Sequence, residues 1–163
     1  MTSPPGHLWF HADSSLLRAE TVWVELPDGR PFARFHHRAT RSGHPRWSWT
    51  GGGVPDFVVE AERSGSSFLI TEPRGAPFGR IRQRGLLVPR LVASDADQAR
   101  FTVELDGRVV SVTGGRELLA ELDLRSSGDL RARLHRTDDD PTLCVLLLAA
   151  PLCHVAQTLL LQV

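Results

Sequence analysis

The apolar segment from residue 143 to residue 153, LCVLLLAAPLC, constrains the fold more than any other stretch of the chain. It contains no charged or strongly polar side chain, so a helix built from it is apolar on every face and has to be surrounded by apolar groups. Three aspartates at 138–140 and then Pro141 precede it, and carboxylates and proline are both favoured where helices begin. The sequence therefore predicts a C-terminal helix over residues 138–163, wrapped either by the rest of the protein or by a membrane.

The chain before this helix has the periodicity of β-structure. Short runs of alternating apolar and polar residues are separated by turn dipeptides such as Asp28-Gly29 and Asp106-Gly107, which suit tight hairpins. About a dozen strands are predicted: Leu8–His11, Thr21–Leu26, Phe32–His37, Arg46–Trp49, Phe57–Glu62, Ser67–Thr71, Phe78–Gln83, Leu86–Leu91, Arg100–Leu105, Arg108–Thr113, Leu118–Leu124 and Asp129–His135.

Several of these strands carry one apolar and one polar face. The predicted apolar faces include Phe57, Val59 and Ala61; Phe101, Val103 and Leu105; and Leu118, Ala120, Leu122 and Leu124. Such strands can form a sandwich, or a closed barrel that has no exposed edges. A barrel of this size is too wide for strand side chains alone to fill, so its lumen needs a plug or a ligand. The uniformly apolar helix is the natural plug.

An internal repeat supports the series of hairpins. PDGRPFARF at 27–35 aligns with PRGAPFGRI at 73–81, and each stretch follows an apolar strand. FTVELDGRVV at 101–110 is a third, looser copy. Each copy is too small to bury its own apolar face, so we expect the copies to share one core.

This layout of tandem hairpins and a final acid-flanked apolar helix resembles the tubby-like superfamily, in particular its LURP-one-related and phospholipid-scramblase-like branch. The resemblance covers residues 57–163, and 68–83 and 138–153 carry most of it. It implies a single domain over 1–163: a mainly β, closed antiparallel barrel of about 12 strands wrapped around a buried hydrophobic C-terminal helix. The basic residues that bind phosphoinositide in tubby-type domains have no identifiable counterparts here, and the Pro-rich leader and cysteine cluster of scramblases are missing. The resemblance therefore implies the fold of this chain but not its ligand.

The overall composition argues against a nucleic-acid partner. The 19 basic and 19 acidic side chains cancel, and the sequence pI is about 7.1, so no global positive field would attract polyanions. No secretory signal is visible at the start of the sequence. We therefore expect a cytoplasmic protein, with residues 1–7 as a disordered leader.

Three predicted strands carry basic triplets on one face, and these are the candidate ligand-binding residues. The triplets are Arg80, Arg82 and Arg84; Arg34, His36 and Arg38; and Arg131, Arg133 and His135. If their strands were neighbours, they would form an anion-binding patch for a phosphate or lipid headgroup. The alternative is pairing across strands with outward acids such as Glu60, Glu62, Glu104, Glu121 and Asp123. Arg80, Arg82 and Arg84 are the strongest candidates because no acid follows them as far as Arg90, and Arg34 and Arg38 come next.

No motif indicates catalysis, a metal or a cofactor. The aspartates at 138–140 lack the alternating spacing and the glycine of a calcium loop, and the seven histidines show no zinc spacing. There is no Gly-x-Ser-x-Gly and no phosphate-binding glycine loop.

Trp47 and Trp49 share one strand face, where core packing is favoured over lining a groove. Cys144 and Cys153 fall on opposite faces of the predicted helix, so we expect two separate buried thiols, with palmitoylation or redox sensing as the alternatives.

These features predict a non-enzymatic binding or adaptor domain, without a cofactor, that recognises a phosphoinositide, another anionic lipid headgroup or a protein partner. Because the apolar segment would also fit a bilayer, a C-terminal anchor at 143–163 is one alternative, although His154, Gln157 and Gln162 would be costly within it. We therefore expect a protein that is not integral to the membrane. An open lipocalin-like carrier with the helix packed outside the barrel is the other alternative.

Overall fold

The computed structural model describes residues 6–12, 16, 18–39, 45–62, 67–85, 90–95, 98–106, 109–125, 129–135 and 140–160. They form twelve strands and one helix: β1 His7–His11, β2 Thr21–Glu25, β3 Pro31–Ala39, β4 Pro45–Gly51, β5 Phe57–Ala61, β6 Ser67–Thr71, β7 Pro77–Arg84, β8 Arg90–Asp95, β9 Gln98–Asp106, β10 Val109–Gly114, β11 Glu117–Leu124, β12 Leu130–Leu134 and α1 Pro141–Leu160.

The twelve strands close into one antiparallel barrel in which every strand pairs with its neighbours along the chain. The ring is completed between β1 and β12, where His7 lies opposite Arg133 and Phe10 opposite Leu130. Just before β1, the carbonyl oxygen of Gly6 accepts a hydrogen bond from Leu134 N at 2.6 Å. The predicted barrel is therefore confirmed, and a sandwich is ruled out. β1 begins at the last residue of the predicted leader, whereas residues 1–5 lie outside the described residues.

The connections alternate between the two ends of the barrel because successive strands run in opposite directions. We call the end with the β2–β3, β4–β5, β6–β7, β8–β9 and β10–β11 connections the entry end, because α1 begins there after β12. The opposite end, with the β1–β2, β3–β4, β5–β6, β7–β8, β9–β10 and β11–β12 connections, is called the far end.

Helix α1 fills the lumen. Every residue of 143–153 is buried, and Leu147 near its middle is 5% exposed. A single core cluster contains buried residues of α1 and of all twelve strands. The predicted plug is therefore confirmed, and the helix does not pack outside the barrel as in the lipocalin-like alternative. The enclosed part of the helix also extends past Cys153, where the apolar segment of the sequence ends. Val155 and Ala156 are buried, while His154 is partly exposed.

The helix lies closest to β7, and bulky aromatic side chains of β3, β4 and β5 fill a neighbouring part of the lumen. Phe35, Trp49 and Phe57 are inaccessible to solvent, and the rings of Trp49 and Phe57 stack with centroids 5.3 Å apart. Trp47 is 1% exposed on the same wall. Trp47 and Trp49 therefore belong to the core and not to a groove.

The internal repeat is visible as two equivalent hairpins. In β2–β3, Leu26 N donates to Arg30 O at 2.9 Å, and in β6–β7, Glu72 N donates to Ala76 O at 2.7 Å. Both hairpins also shift register one residue before the turn, after Val24 and after Ile70. The third copy differs, because only residues 107–108 connect β9 to β10.

Two strand assignments from the sequence are corrected. The predicted eighth strand Leu86–Leu91 ends too early, because the strand runs over Arg90–Asp95 with Leu91 and Ala93 buried, and residues 86–89 of the prediction lie outside the described residues. In β11 the predicted apolar face fails at both ends, because Leu118 is 37% and Leu124 40% exposed. A register shift where β10 pairs with β11 accompanies this change, and Leu119 is buried instead.

Candidate functional site

The three basic triplets lie on strands that are not neighbours in the barrel. Three strands separate β3 from β7, four separate β7 from β12, and two separate β12 from β3. The triplets are therefore spread around the outer wall, and the single patch considered from the sequence does not form.

The triplet on β12 faces acids of the adjacent strand β11. Arg131 lies opposite Asp123 and Arg133 opposite Glu121, and the His135 Nε2 atom is 2.9 Å from Glu121 Oε2. Arg131 also lies over the indole ring of Trp9, with its Cζ atom 5.0 Å from the ring centroid. Cross-strand pairing, the alternative considered for the triplets, therefore forms a close contact at His135, whereas Arg131 and Arg133 face acids of β11 by register.

The triplet on β7 lies beside a groove in the outer wall. Arg80 and Arg82 line a cavity of 480 Å³ together with the hydroxyl-bearing residues Thr71 and Ser94. Leu69, Gly75, Pro77 and Gly79 complete the lining. The groove therefore brings two guanidinium groups and two hydroxyl groups to one concave surface near the entry end of the barrel.

The two arginines of this groove differ in their partners. Arg80 donates from Nε to Glu62 Oε1 at 3.0 Å, a contact that leaves the two terminal NH₂ groups of the guanidinium for another acceptor. Arg82 lies opposite Ser67 and Val92, and it forms no ion pair within the described residues. The groove therefore has guanidinium donors that the neighbouring carboxylate of Glu62 does not saturate.

The triplet on β3 has different neighbours on the adjacent strands. Arg34 lies between Trp23 of β2 and Thr50 of β4, and Arg38 lies opposite Arg46 of β4. Neither Arg34 nor Arg38 pairs with a carboxylate in the part of the chain that the structure covers.

Three residues next to the candidate arginines were not predicted as part of any site: Thr71, Ser94 and Arg46. Their types are common on strand surfaces, and they come next to the candidate arginines only through pairing with other strands. No local signal in the sequence fixes that register, although the repeat at 27–35 and 73–81 indicates that β3 and β7 are equivalent.

The acidic segment before α1 caps the helix. Asp140 Oδ1 accepts hydrogen bonds from the backbone N–H groups of Thr142 at 3.1 Å and Leu143 at 3.2 Å, and its Oδ2 accepts one from Arg100. Arg100 also donates to Asp95 Oδ2 at 2.5 Å. Burial opposes the charge on Asp140, but the bonds from Arg100, Leu143 and Thr142 outweigh it and lower the pKa of the carboxyl. The capping interpretation is confirmed for Asp140, while Asp138 and Asp139 lie outside the described residues.

The hydrogen bonds to Asp140 engage both carboxylate oxygens, which a metal ion would need as ligands. Within the described ranges, no three His, Cys, Asp or Glu side chains are grouped in a way that suits a metal.

The remaining reactive side chains belong to the core. Burial raises the pKa of the Cys144 thiol to about 11, with a further contribution from the charge of Asp140, and burial also raises the pKa of Cys153. Burial lowers the pKa of His154, which favours its neutral form. Buried, protonated thiols are poor nucleophiles, so Cys144 and Cys153 are structural.

No protein-family model matches the sequence, and no curated protein matches it. Over the described residues, no helix has the length and apolar character that crossing a membrane requires.

Proposed function

We propose that this protein is a non-enzymatic binding module that recognises an anionic, phosphate-bearing group, first of all a phospholipid headgroup, on the outer wall of its barrel. The observation that carries the proposal is the 480 Å³ groove in which Arg80 and Arg82 meet the hydroxyl-bearing residues Thr71 and Ser94. Guanidinium groups form strong, directional hydrogen bonds with phosphate oxygens, and hydroxyl groups can complete such a site.

The chemistry of the groove favours binding over catalysis. Its lining residues include no carboxylate, imidazole or thiol, which are the usual proton-transfer and nucleophilic groups. Because α1 occupies the lumen, the outer walls and the ends of the barrel are the surfaces on which a ligand can bind.

Vesicle flotation tests this proposal. Phosphatidylcholine vesicles containing a phosphatidylinositol phosphate should retain the wild-type chain at low salt. The combined substitutions Arg80→Ala, Arg82→Ala and Arg84→Ala should weaken retention at least roughly tenfold, since a charge-assisted hydrogen bond contributes on the order of 1.5–3 kcal/mol.

The matched control removes the same charge from exposed arginines of the entry-end turns. Arg30→Ala, Arg74→Ala and Arg116→Ala together should leave retention close to that of the wild type. Equal losses in the two triple variants would indicate a non-specific charge effect. If the wild type is not retained at low salt, the lipid-binding function is wrong.

A protein partner is the second candidate function, and Trp23 is the observation that favours it. Its indole is 39% exposed on the outer wall, between His11 of β1 and Arg34 of β3. Exposed tryptophan beside arginine is typical of protein-binding surfaces. A partner bound by the wild type and by Leu118→Ser, but not by Trp23→Ser, would support this function; equal binding to all three would exclude this surface.

A further inference from the structure

A row of two arginines and one glutamate crosses the outer wall near the far end of the barrel. On β3 and β4, Arg38 lies directly opposite Arg46, and Arg46 lies opposite Glu60 of β5. The Nε atom of Arg46 is buried and has no hydrogen-bond partner among the described residues. We call Arg38, Arg46 and Glu60 the first arginine row.

The same row occurs a second time on β7, β8 and β9. Arg84 lies directly opposite Arg90, whose Nη1 atom donates to Glu104 Oε1 at 3.2 Å. We call Arg84, Arg90 and Glu104 the second arginine row. Its order of side chains, two arginines followed by a glutamate on three successive strands, is that of the first row.

The internal repeat places the two rows at equivalent positions. Arg38 and Arg84 are 46 residues apart, which is also the spacing of the repeated segments at 27–35 and 73–81. Because β3 and β7 both run from the entry end to the far end, Arg38 and Arg84 lie at the same end of the barrel.

Each row has an excess of positive charge. Like charges directly opposite each other across strands destabilise a sheet, and each row has one carboxylate for two guanidinium groups. In both rows the glutamate is next to the second arginine, so Arg38 and Arg84 are left without a carboxylate partner within the described residues. A bound anion would offset the repulsion in each row and would give the Nε atom of Arg46 an acceptor.

We propose that each arginine row binds one phosphate group and that the two rows together dock the far end of the barrel on a phosphate-bearing lipid surface. Two guanidinium groups suit a phosphate, because its oxygens can accept bonds from both, whereas one guanidinium already satisfies a carboxylate. The inference rests on the proposed function and adds to its groove two phosphate sites and an orientation.

The distance between the rows favours a surface over one small molecule. Four strand spacings separate β3 from β7, which corresponds to roughly 20 Å along the wall. A single phosphate ester does not span this distance, whereas two headgroups of a bilayer can each occupy one row. Binding of the second headgroup then becomes intramolecular, which raises the overall affinity.

The test uses the full chain and phosphatidylcholine vesicles with increasing fractions of a phosphatidylinositol phosphate. Wild-type retention should depend on that fraction more steeply than linearly. Arg38→Gln or Arg84→Gln alone should make the dependence less steep and weaken retention roughly tenfold, in line with the loss of one intramolecular contact. The double variant should keep only the retention that the groove provides, which should be lost when Arg80→Ala and Arg82→Ala are added. Arg30→Gln with Arg74→Gln, at the entry end, is the matched control.

Calorimetry with the soluble inositol phosphate headgroup provides a second readout. The wild type should bind two headgroups beyond the one in the groove, and each single variant should bind one fewer than the wild type. All variants should keep the wild-type circular dichroism spectrum, and their melting temperatures should equal or exceed that of the wild type because a like-charge contact has been removed.

The outcomes separate this inference from the proposed function. A linear dependence for the wild type, one headgroup per chain, or losses no greater than those of the control would overturn the two-row site. If only the Arg80→Ala and Arg82→Ala changes abolish retention, the proposed function stands and the two-row inference is wrong. Binding of these soluble headgroups without retention on vesicles would exclude the lipid surface. If neither vesicles nor headgroup bind, both proposals fail.

Discussion

At the scale of single residues, Gly79 determines how closely the helix can approach the barrel wall. A Cβ atom at this position would lie 3.3 Å from Leu146 Cδ2 of α1, and it would approach the backbone oxygen of Ser94 more closely than the 3.0 Å below which real Cβ atoms are essentially not found. Glycine is therefore required here by close packing of three elements, and not by a positive φ angle. The sequence shows the glycine, but it does not indicate which backbone comes close to it.

We expect Gly79→Ala to destabilise the fold by about 1–3 kcal/mol, the usual cost of overpacking a core. The matched control is Gly6→Ala, because a Cβ atom there would meet only Leu134 O at 3.7 Å, an ordinary contact. Urea unfolding of both variants measures the difference. Equal midpoints for the two would show that the wall can shift away from α1 without cost.

At the scale of elements, the start of α1 is fixed by side chains from two strands. Asp140 caps the helix and binds Arg100 of β9, which in turn binds Asp95 of β8. The β8–β9 hairpin therefore holds the helix where it enters the barrel. The sequence predicted the cap, because its acids precede a proline and an apolar run, but nothing in it singled out Arg100, which is 40 residues away.

Asp140→Ala should lower the free energy of unfolding by about 1–2 kcal/mol at pH 7, since an N-cap and an ion pair are lost together. The difference from the wild type should depend on pH. The pKa of Asp140 is lowered in the folded state, so its carboxylate stabilises the fold above the unfolded pKa of about 3.9, and this contribution is lost as the pH falls through the folded value.

Chemical unfolding of both proteins at pH 7 and at several pH values below 4 measures this effect. Asp56→Ala, an exposed change in the entry-end connection between β4 and β5, is the control and should change stability by less than about 0.5 kcal/mol. A difference between wild type and Asp140→Ala that stays constant down to the lowest pH would contradict the role assigned to the charged carboxylate.

At the scale of the whole molecule, the fold depends on pairing between its first and twelfth strands. β1 fills the gap between β2 and β12, and without it both of those strands would expose unpaired backbone groups. Exposed strand edges are templates for association with other chains.

Removing the residues up to and including His11 should therefore make the chain form larger oligomers or aggregates than the wild type, which light scattering after gel filtration would detect. A peptide covering Gly6–Ala12, added in excess, should restore part of the wild-type size by replacing the missing strand. The same peptide with Phe10→Asp should fail, because Phe10 is 1% exposed in the core. A shortened chain that keeps the wild-type size and an unchanged spectrum would show that β1 is dispensable.

Much of this architecture can be predicted from the sequence, because alternation and turns determine strands locally. The end of the eighth strand was placed too early because the apolar run LLVPRL ends at Leu91, whereas the alternation of buried and more exposed residues continues past Ala93. The candidate site was less predictable. Arg80, Arg82 and Arg84 were recognised on one face of a strand, but their neighbours depend on which strands pair and in which register, and one sequence does not encode this locally.

The central position of α1 has a consequence for the order of events during synthesis. Every strand leaves the ribosome before the element that fills their common lumen, so the nascent chain carries the apolar faces of twelve strands without their largest shared partner. Contacts between β1 and β12 also join residues 120 to 126 positions apart. Such long-range contacts form slowly and leave apolar surface exposed meanwhile. Completion of this barrel therefore has to wait for α1, and the chain needs protection from aggregation until its helix has been made.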